Sequence, residues 1–136
     1  MVIGSFIMIT TFEDLEVWKL ARELRNKAYK ITENFPKSEE YKLKSQLRAA
    51  ATSVTANIAE GFGRFHYQEN IQFCRQARGS LFEVVDHLIT SNDEGYLSKK
   101  EYEELKSFTY RIIKVLNGYI ASIKKQKELP NNSMTK

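Results

Sequence analysis

A single cysteine, Cys74, excludes an internal disulfide, and it stands outside any Cys-x-x-Cys pair, a usage that fits a reducing, cytoplasmic setting. Two histidines leave metal chemistry short of ligands, since the Glu-x-x-His pairs that a di-iron bundle draws from two helices are missing. Glu83, Asp86 and His87 lie close enough in sequence to touch a metal, but Glu83 and His87 are also an ordinary i, i+4 surface pair. Arg78 and His87 are too far apart for a helical ribonuclease of the Arg-then-His kind, and His66 follows Arg64 too closely, so it flanks the turn into the next helix. The six glycines form no phosphate-cradling loop, because Gly61-Phe62-Gly63 follows a helical pattern and not a strand. Ser53, Thr55 and Ser80 have no base in sequence to activate them, and Cys74 suits a core. These absences point to a protein that is not an enzyme and carries no cofactor or metal.

Long apolar runs are missing too. The opening MVIGSFIMITT is too short to span a bilayer, and it lacks the basic start and small-residue cleavage site of a signal peptide. Its Val, Ile and Phe suit either a short arm packed on a neighbouring subunit or an upstream extension.

What is present is an ordinary globular composition, 42% hydrophobic and 28% charged over 136 residues, one domain's worth. The formal net charge of +4 is unevenly placed. From Lys106 onward seven cations meet one acid, Glu128, which suits either a polyanion-binding surface or a solvated helix face.

The periodicity is helical throughout, with no strand signal or repeat. Thr11 with Asp14 forms a capping box that starts a first helix, whose stripe is Val17, Leu20, Ala21, Leu24, Ala28 and Ile31, closed by Phe35-Pro36. Ser38 with Glu39 and Glu40 caps a second helix running to Gly61, with Leu43, Leu47, Ala50, Val54, Ile58 and Phe62 on one face. There Gly61 and Gly63 are expected at positive φ, ending the helix. A third helix spans Tyr67 to Thr90, interrupted at Arg78-Gly79-Ser80, where a close helix crossing compensates for glycine. Asn92 to Gly95 form a turn, and Ser98 caps a fourth helix with lysines at its C-terminal end. The expectation is an all-α, antiparallel up-down-up-down four-helix bundle over residues 11–128, with an N-terminal extension (1–10) and a disordered polar tail (129–136).

Beside the apolar face of the second helix lies a polar stripe, Gln46, Ser53, Asn57 and Glu60. It either lines a nucleic-acid groove or, the reading preferred for Asn57 and Glu60, forms a structural polar network with Ser80 and Glu83 on the third helix. Arg48, Arg64, Arg75, Arg78, Lys124 and Lys125 are the candidate nucleic-acid ligands, the guanidinium groups being suited to phosphate. Tyr41, Tyr67, Tyr102, Tyr110, Tyr119 and Phe65 suit base stacking or, more commonly, a subunit interface.

Four runs of residues carry a resemblance. They are Phe12-x-x-Leu15-x-Val17-Trp18-Lys19, Phe35-Pro36 through Gln46-Leu47-Arg48-x-Ala50, Ser53-x-x-x-Asn57-Ile58-Ala59-Glu60-Gly61-x-Gly63-Arg64, and Ala77-x-Gly79-Ser80-Leu81-x-Glu83. Together they resemble the four-helix-bundle proteins encoded in intervening sequences of bacterial large-subunit rRNA genes, relatives of the accessory variability protein of diversity-generating retroelements. Arg78 departs from the lysine expected there but keeps the charge. The resemblance implies a ring-like homopentamer with a basic surface for RNA or DNA, and it carries over no catalytic residue. The alternative is an adaptor bundle that recruits a protein partner, such as a reverse transcriptase, without touching nucleic acid.

Overall fold

The computed structural model describes residues 2–3 and 7–129. Two short strands, β1 (Val2–Ile3) and β2 (Ile7–Met8), pair antiparallel ahead of the helices, in a stretch whose sequence shows no alternation. Ile9 behind them is buried in the core, so the packed unit begins before residue 11. The expected tail lies outside the described residues except for Leu129.

Four α-helices follow: α1 (Glu16–Thr32), α2 (Leu43–Gly63), α3 (Tyr67–Asp93) and α4 (Lys99–Lys127). The Thr11–Asp14 capping box is real but caps a 3-10 turn, Phe12–Asp14, ahead of α1. The N–H groups of Thr10 and Thr11 donate to the Asp14 carboxylate and hold it below the usual carboxylate range. Ser38 likewise falls in a 3-10 turn, Lys37–Glu39, and α2 begins at Leu43, whose N–H donates to Glu39 Oε1. At α4 the reciprocal Ser98–Glu101 capping box forms as the sequence implies.

The helices pack in the cyclic order α1-α2-α3-α4, with α1 and α3 diagonal and the tightest contact between α2 and α3. The core runs along the apolar stripes, with Val17, Leu24, Leu47, Val54, Ile58, Leu81, Leu88, Ile112 and Leu116 almost wholly buried. Around 25 cal/mol per Å² of apolar area removed from water makes this the main stabilising contribution. At one end, Tyr96 OH donates to Glu39 Oε2 at 2.9 Å and the Tyr96 ring packs on Phe35 at 5.3 Å. That contact ties the α1–α2 and α3–α4 loops together, and the hydrogen bond to Glu39 raises the Tyr96 phenol above its ordinary pKa.

The glycines behave differently from the sequence reading. Gly61 and Gly63 both lie inside α2 without positive φ, and the chain turns instead at Phe65 (φ 58°), before His66 in extended backbone leads into α3. Gly61 is needed for space: a β-carbon there would meet Asn70 Oδ1 at 2.7 Å and Phe73 Cβ at 2.9 Å. Gly79 is the reverse. α3 runs through it unbroken, and a β-carbon on Gly79 would meet nothing within 4 Å, so the close crossing falls at Gly61.

Candidate nucleic-acid interface

Helix lengths and register decide which of the sequence-predicted cations meet. Arg78 Nη1 donates to Asn117 Oδ1 at 2.7 Å, and Lys127 Nζ contacts Gln68 Oε1. These contacts lay the first half of α3 against the second half of α4. Arg75, Lys124 and Lys125 are exposed, and α4 adds Lys114 and Lys127 to the same half. Arg64 stands on the α2–α3 turn at that end of the bundle, paired with Glu60 at 3.0 Å and lying over the Phe73 ring at 5.2 Å. Next to it Phe65 is 61% exposed, its ring centroid 6.5 Å from that of Phe62.

Arg48 belongs elsewhere. Its Nε donates to Thr32 Oγ1 at 2.8 Å, its Nη2 donates to the Tyr29 carbonyl at 2.9 Å, and its guanidinium lies 4.5 Å from the Tyr29 ring centroid. The last turn of α1 has carbonyls without helical partners, and Arg48 fills that need from α2. It is a clamp between two helices.

The expected polar network forms at its centre only. Ser53 Oγ and Ser80 Oγ share a hydrogen bond at 2.9 Å, and Asn57 Nδ2 donates to the Ser53 carbonyl at 2.9 Å and its Oγ at 3.0 Å. Glu60 turns to Arg64 and Glu83 to His87 at 3.4 Å, while Gln46 is exposed. Both glutamates point to partners at the surface in preference to a half-buried hydroxyl pair, because a carboxylate is costly to desolvate.

Sequence reasoning missed the buried polar site beneath Gly61. Asn70, 1% exposed on the apolar side of α3, accepts from Cys74 Sγ at 3.6 Å and donates to Tyr119 OH at 3.4 Å. Burial pushes the Cys74 thiol and the Tyr119 phenol each up to about 12, the first opposed by Arg78 and the second by the Asn70 bond. The thiol is thus held neutral and shielded, which fits the core reading of Cys74. Tyr67, proposed above as a surface aromatic, is also buried, whereas Tyr41 and Tyr110 are exposed.

Charge is segregated by helix. α1 carries five cations and two acids and α4 eight and three, whereas α3 carries two and four. The cations of α1 carry no motif in sequence, and only the helix brings them to one side. Lys19, Arg22, Lys27 and Lys30 line one shallow depression with Glu23 and Asn26.

Among the described residues no three His, Cys, Asp or Glu side chains converge as metal ligands, and no helix is long and apolar enough to cross a membrane. The architecture is thus an all-α four-helix bundle. Residues 13–118 match the model of the 23S rRNA-intervening sequence protein family, and the chain belongs to that family. No curated protein matches it. Among solved structures it is similar to a Bacteroides thetaiotaomicron protein of unknown function from the S23 ribosomal protein family, at 22% identity and a TM-score of 0.69, over 76% of this chain and 97% of that one. At that identity the likeness bears on the fold.

Proposed function

We propose that the protein is a non-enzymatic homo-oligomer, ring-like and pentameric by the family resemblance, that binds RNA or DNA through the cationic end of the α3–α4 face. What supports this reading is the Arg78–Asn117 contact, which lays the half of α3 that carries Arg75 and Arg78 alongside the half of α4 that carries Lys114, Lys124 and Lys125, with Arg64 and the exposed Phe65 on the adjoining turn. Cations supply affinity for phosphate regardless of sequence, and an exposed ring adds stacking on an unpaired base. Lysines at the end of α4 also meet the negative end of its helix dipole, a local role that does not account for Arg75 and Arg78 on α3.

Light scattering coupled to size exclusion, with and without nuclease, tests the reading. A multi-subunit mass carrying nuclease-sensitive ultraviolet absorbance supports it. A clean oligomer without nucleic acid favours the adaptor alternative, and a single-subunit mass removes the assembly.

A further inference from the structure

We propose that one copy's outer α3 stripe docks in the cationic depression along α1 of a second copy, head to tail. The inference rests on the homo-oligomer reading above and assigns its two faces. On α3, Gly79, Phe82, Asp86, Ile89 and Asp93 follow one another at steps of three and four and so share one face. That face exposes apolar side chains between its two acids: Phe82 is 49% exposed and Ile89 37%, and Phe82 meets Tyr110 of α4, 46% exposed, edge to face at 6.2 Å. Gly79 on the same stripe costs α3 helix propensity, and nothing within the subunit occupies the space above it. A partner helix would use that space.

Charge names the occupant. The acids on this stripe, Asp86 beside His87 and Asp93, are complementary to a basic surface, and the α1 depression offers Lys19, Arg22, Lys27 and Lys30 around a single acid, Glu23. Spacing agrees: at about 1.5 Å per residue, Arg22 and Lys30 lie about 12 Å apart along α1, and Asp86 and Asp93 about 10 Å apart along α3. Because α1 and α3 are diagonal in the bundle, the two faces point away from each other, so one copy can engage two neighbours at once. Such contacts are heterologous, as a ring demands. The cations used are distinct from those of the α3–α4 end.

The experiment is the solution mass of charge-reversed full chains by light scattering, with circular dichroism confirming that each is helical. Arg22→Glu with Lys30→Glu, and separately Asp86→Lys with Asp93→Lys, are each expected to weaken self-association by about tenfold or more. The chain carrying all four changes, with both faces inverted, is expected to reassemble. A wild-type oligomer unmoved by either reversal, or a folded four-change chain that stays dissociated, overturns the face assignment while leaving the oligomer intact. A wild-type chain that is a single subunit at all concentrations overturns the homo-oligomer reading itself.

Discussion

Gly61 lies so close to Asn70 that a β-carbon on the glycine would stand 2.7 Å from the Asn70 Oδ1 and 3.2 Å from its carbonyl oxygen. The relationship joins the two most intimately packed helices, α2 and α3, over a buried side chain that also meets Cys74 and Tyr119. Backbone and a buried amide cannot move aside cheaply. Gly61→Ala is therefore expected to destabilise the fold by about 1–3 kcal/mol despite alanine's better helix propensity. Gly79→Ala, with open space above it, is expected to stabilise the isolated subunit by about 0.5–1 kcal/mol. Urea unfolding of the two variants checks both signs.

Arg48 separates stability from binding. Arg48→Ala removes a charged donor from Thr32 Oγ1 and the Tyr29 carbonyl, and a stacked cation from the Tyr29 ring. A loss of about 1–3 kcal/mol in unfolding free energy is expected, with nucleic-acid affinity unchanged. Arg48→Lys is expected to recover little, since an ammonium cannot reproduce the two-point fork. Denaturation paired with a binding titration distinguishes this clamp from a phosphate ligand.

Alkaline stability reports the buried polar site. Burial raises the Cys74 pKa from 9.0 to about 12 and the Tyr119 pKa from 10.0 to about 12, so the fold holds both groups neutral. Their contribution is fully present below the unfolded values and is lost as pH rises toward 12. Each group is expected to steepen the fall by about 1.4 kcal/mol per pH unit once its unfolded form ionises. Cys74→Ala and Tyr119→Phe should each flatten that fall, and the native thiol should resist alkylation at neutral pH until the chain is unfolded.

The four helices were legible because their stripes repeat at three and four residues, and at α4 because Ser98 and Glu101 spell a capping box. Local signals misled where tertiary packing decided. A glycine pair resembles a helix stop in sequence, yet Gly61 serves the approach of α3 and the turn falls to Phe65. Thr11 and Asp14 make the expected bonds, but around a 3-10 turn whose continuation Leu15 redirects. Of the candidate nucleic-acid residues, Arg75 and Arg78 on α3 lie in the half of that helix packed along the part of α4 that carries Lys124 and Lys125, a pairing of helix halves that spacing along one helix cannot reveal. The inter-helix contacts of Arg48 were not legible because guanidinium chemistry serves phosphate and helix carbonyls alike. Asn70 went unseen because one polar residue on an apolar stripe has no meaning until its neighbours are known.

Nucleic-acid affinity measured against salt tests the central claim most directly. Each phosphate neutralised contributes about 0.7 to the logarithmic salt slope on a single strand and about 0.9 on a duplex. With wild-type protein a steep slope is expected, and changing Arg75, Arg78, Lys124 and Lys125 to Gln together is expected to reduce it by about three while leaving the bundle folded. Absence of binding at about 50 mM salt, or a slope that the four changes leave unaltered, would contradict the account.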